Sequence, residues 1–235
     1  LTRQMNDPAY FYQLNDKIEF DTIFSDLLKR RFLDLRKTDA AGFRDFCAGT
    51  DAIFCKPAGL CGGEGIRRIV TAEIDDYTAL YDQLVQGGQL LIEEPIRQHP
   101  EMSRLCPDSV NTVRIVTLVT DKGAEMVYAL VRMGMGGVCV DNVSSGGMYA
   151  PVNEHGQLYR PAFCDKTGKY YERHPVTGTD IVGFQIPMFE DALELCRTAS
   201  RRVEEHLKYI GWDVAITPDG PVLVEGNNLP GYDMC

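Results

Sequence analysis

Two stretches of this chain have the pattern of antiparallel β-hairpins, and they constrain the fold more than any other feature. In the first, apolar residues dominate 111–133, interrupted by Asp-Lys-Gly at 121–123. In the second, the apolar stretch 209–227 is divided by Pro-Asp-Gly at 218–220. Such residues favour a tight reversal, and strands joined by a tight turn are antiparallel neighbours. Much of the core is therefore expected to be antiparallel sheet.

The remaining patterns predict helices and short strands around these hairpins. Residues 17–35 carry apolar side chains at helical spacing, which predicts a helix. Residues 134–185 are rich in glycine and polar residues and are expected to hold only short strands. Because no regular strand–helix–strand alternation is present, the expected fold class is α+β rather than a doubly wound sheet. The other predicted helices are 39–48, 75–86 and 188–208, and the other predicted strands are 52–56, 66–71 and 89–94.

Composition limits the partners that this protein can have. Its 235 residues include 34 acidic and 24 basic side chains, and the net charge is −10. A surface of that charge repels phosphate backbones, so nucleic acid is not an expected partner, and a bound polyanion needs a local cluster of cations. The apolar runs are far shorter than the roughly 20 residues that cross a bilayer, so no membrane insertion is expected. Eight cysteines without a CxxC pattern indicate reduced, buried thiols in a cytoplasmic protein.

Three oxygen-bearing side chains are expected to converge on the second hairpin. Asp213 and Glu225 lie in its two strands with the turn midway between them, so they can be cross-strand neighbours. Asn227 points to the same face as Glu225, because it follows two residues later. Two carboxylates and an amide oxygen suit Mg²⁺, which takes few protein ligands. The other interpretation is that both acids are ordinary solvent-facing strand residues.

A lysine that ends an apolar strand indicates an anionic partner. Lys56 ends the segment AIFCK and precedes the glycine-rich stretch 57–65. Backbone N–H groups of such a loop can approach phosphate oxygens closely, although an ordinary hairpin turn has the same pattern. The loop is not a Walker A sequence. Arg114 and Arg132, inside apolar strands, would join Lys56 and Lys17 in a cationic cluster for a triphosphate.

Taken in order, several segments resemble the ATP-grasp superfamily. They are NDK at 15–17, FCKP with its glycine loop at 54–65, QLLIEEPI at 89–96 and GWDVAITPDGPVLVEGNNLPG at 211–231. Within that superfamily the chain is most similar to the sugar-transfer-associated ATP-grasp group. That likeness rests on QHPEMSRLCPDSVNTVRIVTL at 98–118 and VDNVSSGGMYAPVNEHG at 140–156. The resemblance covers nearly all of the chain from about Asp16 onward.

The resemblance implies an ATP-grasp fold, in which two α+β lobes with antiparallel sheets clasp ATP. Residues 1–50 would be a helical segment leading into the fold. Residues 51–96 would form the small lobe with its glycine-rich loop, and residues 97–235 the large lobe with the metal site. ATP-grasp ligases commonly have a substrate domain before the NDK element, so the chain is expected to be a fragment.

The resemblance also implies how ATP would be held. The two lysines would contact its phosphates, as the corresponding lysines do in D-alanine–D-alanine ligases, and the loop 59–65 would close over them. Residues Glu93 to Ile96 would hold adenine, although an ordinary strand explains the segment 89–96 taken alone. The residues implied in nucleotide binding are Lys17, Lys56, Gly62, Gly63, Gly65, Glu93, Glu94, Ile96 and, at the ribose, Glu101.

A metal site and a reaction centre follow from the same resemblance. The implied metal is Mg²⁺, with Mn²⁺ as a possible substitute. Its implied ligands are Asp213, Glu225 and Asn227. The residues implied near the γ-phosphate and the acceptor are Arg114, Arg132 and Asn142.

The implied activity is that of a ligase that phosphorylates a carboxylate and then joins it to an amine or thiol. The acceptor would be a small-molecule carboxylate or a sugar-linked molecule, in cell-surface polysaccharide biosynthesis. Many such ligases carry an arginine just before the metal-binding aspartate, where this chain has Gly211 and Trp212. That departure keeps open a phosphotransferase acting on a sugar or metabolite hydroxyl. A non-catalytic nucleotide-binding module is the third interpretation.

Overall fold

The computed structural model describes residues 2–59, 65–136 and 146–230. Residue contacts divide the chain into two compact units. The smaller unit is Asn15–Ile96, and the larger unit is Leu1–Leu14 together with Arg97–Cys235. Three of the expected site residues lie outside the described ranges, namely Gly62, Gly63 and Asn142.

The described residues form short helices, one long helix and two groups of strands. The helices are α1 (Thr2–Met5), α2 (Tyr12–Asn15), α3 (Lys17–Ile23), α4 (Ser25–Leu28), α5 (Ala40–Cys47), α6 (Tyr77–Gln86), α7 (Pro100–Ser103) and α8 (Phe189–Val203). The first strands are β1 (Phe32–Asp34), β2 (Ala52–Lys56), β3 (Arg67–Val70) and β4 (Leu91–Glu93). The later strands are β5 (Thr112–Thr120), β6 (Gly123–Met133), β7 (Met148–Val152), β8 (Ala162–Cys164), β9 (Lys169–Tyr171), β10 (Tyr209–Thr217) and β11 (Gly220–Asn227).

The smaller unit is built on a four-stranded antiparallel sheet in the order β1-β4-β2-β3. Glu93 of β4 is in register with Phe32 of β1 on one side and Phe54 of β2 on the other. Asp39 and Asp76 cap α5 and α6 by accepting backbone N–H bonds. The helices and the sheet share one buried core, which contains Leu35, Phe43, Phe46, Cys47, Ile53, Cys55, Leu84 and Ile92.

The helix predicted over 17–35 is wrong in its second half. α3 ends at Ile23 and α4 ends at Leu28, after which Lys29 has a left-handed φ of 49°. Phe32–Asp34 then form β1, paired antiparallel with β4. The apolar spacing continues through these residues, but pairing with a distant strand satisfies their backbone groups in a sheet instead. Local periodicity contains no information about that partner.

The larger unit is built on a seven-stranded antiparallel sheet in the order β11-β10-β5-β6-β7-β8-β9. Both predicted hairpins are confirmed, as β5–β6 and β10–β11. The apolar face of α8 packs on the strands of these hairpins. The prediction of a helix over 188–208 is wrong at its C-terminal end, because α8 stops at Val203. The chain then turns, and the ring of His206 stacks on Tyr10 with centroids 3.4 Å apart.

A buried amide helps to hold the N-terminal segment against the rest of the larger unit. Asn6 is 3% exposed. Its Nδ2 donates to the Tyr209 carbonyl at 2.7 Å, and its Oδ1 accepts from the Tyr209 N–H at 2.8 Å. This pairing fixes the segment beside the start of β10.

Five of the eight cysteines lie in the described ranges, and each is buried with a free thiol. Burial raises the pKa of Cys47 to about 11 and that of Cys55 to about 12, so both thiols are protonated at neutral pH. Within the part of the chain that is described, no helix is long and apolar enough to cross a membrane.

Candidate active site

Lys56 ends β2 inside a group of four buried ionisable side chains, which we call the charge cluster: Asp21, Arg30, Lys56 and Glu93. The Lys56 ammonium contacts one carboxylate oxygen of Glu93, and the Arg30 guanidinium contacts the other, with Nε 2.8 Å away. The side chain of Lys56 is 16% exposed, against 5% for Arg30 and 2% for Glu93. The anionic partner expected for Lys56 is therefore present inside the protein. Because Lys56 is more exposed than Arg30 or Glu93, it is the cationic side chain of the cluster that a ligand could contact.

Asp21, on α3, completes the charge cluster. It is 2% exposed, with Oδ1 3.9 Å from the Arg30 guanidinium. Its Oδ2 has no hydrogen-bond partner among the described residues. Burial and the neighbouring Glu93 carboxylate raise the pKa of Asp21 to about 8. Burial alone would also raise the pKa of Glu93, but Arg30 and Lys56 lower it to about 2. At neutral pH Asp21 is therefore protonated and the cluster carries one net positive charge.

The second expected nucleotide lysine lies close to Lys56 along the backbone. Asp16 caps α3 by accepting N–H bonds from residues 18 and 19, which places Lys17 in the first turn. The Lys17 N–H donates to the Ala58 carbonyl at 2.9 Å. The start of α3 is thereby tied to the segment just after Lys56. Lys17 is half-buried.

The other residues expected around the nucleotide lie in varied surroundings. Gly65 has a φ of 73°, a conformation that favours glycine, and its carbonyl accepts a bond from Gln89 at 2.6 Å. Glu94 pairs with Arg31 through two bonds of 2.7 and 2.9 Å, and Ile96 is half-buried. Glu101 is exposed on α7 and pairs with Arg104 at 2.7 Å.

The larger unit brings together four of the expected site residues. Asp213 on β10 is in register with Arg114 on β5 and with Glu225 on β11. Arg114 grips the Asp213 carboxylate with Nε and with an NH2 group 2.8 Å from Oδ2, and an NH1 group of Arg132 lies 2.8 Å from the same Oδ2. Asp213 is 1% exposed. Burial would raise its pKa, but the two arginines hold the pKa of Asp213 well below its usual range.

Glu225 faces this arrangement from the neighbouring strand. Both arginines lie 4.0 Å from its Oε1. Desolvation and the Asp213 carboxylate raise the pKa of Glu225 to about 7. Because 40% of the side chain is exposed, water moderates both effects. The prediction that Asp213 and Glu225 are cross-strand neighbours is confirmed, while Asn227 pairs with Gly211 and donates to its carbonyl at 3.2 Å.

Asp213, Glu225 and Asn227 offer the kind of oxygen ligands that Mg²⁺ prefers. Among the described residues no group of three or more His, Cys, Asp or Glu side chains could hold a metal ion. Asp213 and Glu225 are two facing carboxylates, and burial together with the Asp213 carboxylate raises the pKa of Glu225. A divalent cation is the kind of group that lets both ionise, and the amide oxygen of Asn227 would supply a third hard ligand.

Gly211 explains how Arg114 reaches Asp213. A Cβ atom at position 211 would lie 3.1 Å from Cδ of Arg114 and 2.9 Å from Cβ of Pro230. A glycine on β10 therefore leaves the space through which the Arg114 side chain passes. Trp212 points to the opposite side, where it is fully buried and its Nε1 donates to Thr117 at 3.0 Å. The two residues that depart from the ligase pattern thus have structural roles.

Two members of the charge cluster were missed by reasoning from sequence. Asp21 is an acid three residues after Ile18 on the buried side of a helix, where an ionisable group is unusual. Arg30 comes two residues before the strand that pairs with Glu93. The position of Asp21 was a usable signal, because an acid on an apolar helix face needs a partner. The pairing of β1 with β4, which brings in Arg30, has no local signal.

The model of the family described as "Sugar-transfer associated ATP-grasp" matches residues 1–235. No curated protein matches the chain. Among solved structures, it is similar to the ATP-grasp ligase PsnB complexed with a minimal precursor, Mg and ADP, at 16% identity and a TM-score of 0.54, over 97% of this chain and 54% of PsnB.

Two further structures have the same fold. D-alanyl-alanine synthetase A from Vibrio cholerae O1 biovar eltor matches at 14% identity and a TM-score of 0.53, over 96% of this chain and 59% of that protein. D-cycloserine synthetase DcsG matches at 14% identity and a TM-score of 0.54, over 95% of this chain and 65% of that protein. The chain thus spans somewhat more than half the length of each of these structures, and the likeness shows the ATP-grasp fold. With the family match over its whole length, the chain belongs to the sugar-transfer associated ATP-grasp family.

Proposed function

We propose that this protein is an ATP-dependent ligase that joins a carboxylate to an amine or thiol. The carboxylate attacks the γ-phosphorus of ATP to give an acyl phosphate and ADP, and the amine or thiol then displaces phosphate. The observation that carries this proposal is the arrangement of Arg114, Arg132 and Glu225 around the buried Asp213. Structural neighbours named as ATP-grasp ligases support the same reaction class.

In this proposal the smaller unit binds the nucleotide phosphates. The charge cluster carries one net positive charge at neutral pH, and Lys56 is its most exposed member. Lys17 lies in the first turn of α3, where backbone N–H groups also favour an anion. The glycine loop and the segment from Glu93 to Ile96 would complete the phosphate and adenine contacts, with Glu101 proposed at the ribose.

Asp213, Glu225 and Asn227 would hold Mg²⁺, or Mn²⁺ in its place. The metal would offset negative charge on the transferred phosphoryl group. Binding it requires Glu225 to give up the proton that the neighbouring Asp213 carboxylate favours. Asp213 stays ionised throughout, because Arg114 and Arg132 lower its pKa.

Arg114 and Arg132 supply the positive charge that other ligases place just before the metal-binding aspartate. Both are less than 10% exposed, so their charge acts in a poorly solvated place. Such donors stabilise charge that develops in the transition state without reorganising. Asn142 is proposed to lie near the acceptor. In this proposal Arg114 and Arg132 take the place of the arginine that many ligases carry just before the metal-binding aspartate. The presence of Gly211 and Trp212 at those positions is then no argument for a phosphotransferase over a ligase.

The proposed acceptor is a small-molecule carboxylate or a sugar-linked molecule in cell-surface polysaccharide biosynthesis. The sugar-transfer association of the family supports that context. A net charge of −10 disfavours nucleic acid as a partner. The need for ATP favours the cytoplasm.

Thermal unfolding with Mg-ATP, with Mg-GTP and with ATP plus EDTA tests the nucleotide site first. A ligand that binds only the folded state raises the midpoint, so a shift that requires both ATP and Mg²⁺ is expected. Candidate carboxylates are then incubated with Mg-ATP and hydroxylamine, which traps an acyl phosphate as a hydroxamate. Hydroxamate with ADP supports the ligase. A stable phosphorylated hydroxyl would identify a phosphotransferase, and ATP binding with neither product would identify a binding module.

A further inference from the structure

The charge cluster contains two residues that lie outside the sequence segments on which the resemblance to the family was based. Asp21 comes from α3, and Arg30 comes from the segment between α4 and β1. Both are almost completely buried, at 2% and 5% exposure of the side chain. Burying two more ionisable side chains beside Lys56 costs free energy unless they form favourable electrostatic contacts with the other members of the cluster.

We propose that Asp21 and Arg30 are positioning residues for Lys56, which set the place of its ammonium and the net charge that it presents to the phosphates of ATP. The inference deepens the proposed function and rests on it, because Lys56 contacts those phosphates there. Neither residue touches the nucleotide in this account. Both act through Glu93.

Arg30 fixes the Glu93 carboxylate. Its Nε and one NH2 group both contact Oε1, which leaves Oε2 directed at the Lys56 ammonium. A guanidinium that grips a carboxylate through two N–H groups restricts its orientation more than a single contact would. Glu93 is also held by the register of β4 between β1 and β2. The Lys56 ammonium therefore contacts a Glu93 carboxylate whose own position is fixed by Arg30 and by the sheet.

Asp21 controls the charge of the group. The charged groups that act on it are Glu93, Arg30 and Lys56. A side-chain hydrogen bond to Glu93 favours the protonated form of Asp21, while its Oδ2 has no hydrogen-bond partner among the described residues. With Asp21 neutral, two cations and one anion leave one positive charge. Ionisation of Asp21 cancels it, and its pKa of about 8 places that change just above neutral pH.

Loss of that charge weakens the attraction for phosphate. A unit charge at roughly 10 Å in a medium of effective dielectric about 20 changes affinity on the order of tenfold. Between about pH 7 and pH 9, ionisation of Asp21 is therefore expected to lower the nucleotide affinity of the wild type by about that factor relative to a variant that cannot ionise at this position. Asp21→Asn keeps the shape and the hydrogen-bond donor but cannot ionise, so it should escape this loss of affinity.

The experiment is calorimetric titration of the full chain with the non-hydrolysable nucleotide Mg-AMPPNP at about pH 7, 8 and 9. The proteins are the wild type, Asp21→Asn and the control Asp82→Asn, which removes an exposed acid of α6 in the same unit. The expected result is an equal affinity of all three at pH 7. At pH 9 Asp21→Asn should bind on the order of tenfold more tightly than the other two.

Each other outcome has a distinct meaning. If Asp21→Asn loses affinity in parallel with the wild type, the role of Asp21 is overturned while the proposed function stands. If no protein binds nucleotide at any pH, the proposed function fails and this role fails with it. A ratio of Asp21→Asn affinity to wild-type affinity that is the same at pH 7 and pH 9 also overturns the inference.

Arg30 is tested by Arg30→Lys, which keeps the charge and removes the two-point grip. Its control is Arg36→Lys, because Arg36 makes a similar forked pair with Asp34 but is 47% exposed. Nucleotide affinity at pH 7 should fall on the order of tenfold for Arg30→Lys and stay unchanged for the control. An unchanged affinity of folded Arg30→Lys removes Arg30 from the proposal. If that variant does not fold, the pH profile of Asp21→Asn still decides the inference.

Discussion

Buried charges dominate the chemistry of both units at the scale of single residues. In the smaller unit Glu93 holds two cations, and in the larger unit Asp213 is held by two arginines. Each carboxylate is 2% exposed or less. Removing one member of such a group leaves a buried charge without its partner, which costs far more than the loss of a surface ion pair.

Glu93→Gln should therefore destabilise the fold much more than the matched change at the next residue. Arg30 and Lys56 would keep their charges in a buried place without the anion between them, at a cost of about 3–5 kcal/mol. Glu94→Gln removes a partner of Arg31, which is 49% exposed, and should cost less than about 1 kcal/mol. Urea unfolding at neutral pH measures both. Equal losses in the two variants would mean that Glu93 is not the anion of a buried cluster.

Asp21→Asn should raise stability at neutral and alkaline pH. Burial and Glu93 raise the folded-state pKa of Asp21 to about 8, so the unfolded state ionises first. The favourable contribution of protonated Asp21 is fully present below the unfolded pKa of about 4 and is lost as pH rises through about 8. Asp21→Asn cannot ionise and does not lose this stability. Its free energy of unfolding should therefore exceed that of the wild type by on the order of a few kcal/mol at pH 8. Unfolding free energies at about pH 4, 6 and 8 test this, and an advantage independent of pH would contradict it.

At the scale of secondary-structure elements, β10 is the strand on which the larger site depends. It lies between β11 and β5, so its residue 213 meets Arg114 on one side and Glu225 on the other. The hairpins could be predicted from sequence because their signals are local, in the turns and the apolar strands on either side. The pairing of β10 with β5, which joins the two hairpins, could not be predicted, because it brings together residues about a hundred positions apart and no local pattern indicates it.

Gly211→Ala should impair the site while leaving the sheet folded. The new Cβ would press on Cδ of Arg114 and on Pro230, so the arginine must shift from Asp213. Overpacking of this kind costs about 1–3 kcal/mol, and we expect ATP turnover to fall at least about tenfold. Initial rates and circular dichroism are compared with those of Val127→Ala, at a position of β6 that is 51% exposed. Full activity of Gly211→Ala would show that the grip of Arg114 on Asp213 is not needed.

At the scale of the whole molecule, an acidic chain keeps its buried cations in two places. The net charge is −10, yet Arg30 and Lys56 in one unit, and Arg114 and Arg132 in the other, are gathered around single carboxylates. The sequence led us to expect one cationic cluster of Lys17, Lys56, Arg114 and Arg132, but the two lysines belong to one unit and the two arginines to the other. Each unit supplies its own group.

Binding of Mg-ATP should stabilise the whole chain in a way that depends on Glu225. Glu225→Gln removes one of the proposed metal ligands, so the rise in the unfolding midpoint with Mg-ATP should shrink toward that seen with ATP and EDTA. The control Glu205→Gln, at a side chain that is 85% exposed, should keep the full Mg²⁺-dependent rise. A full rise in Glu225→Gln would remove this residue from the metal site.

The sequence by itself determined the α+β class, both hairpins, the location of the longer helices and the cross-strand placement of Asp213 and Glu225. These depend on local turn chemistry, capping and periodicity, which short segments carry with them. Tertiary structure alone decided that 32–34 is a strand, that Arg30 joins Glu93 and Lys56, and that two arginines rather than one adjacent residue flank Asp213. Those outcomes require distant strands to pair, and the burial that pairing brings sets the charges of the site.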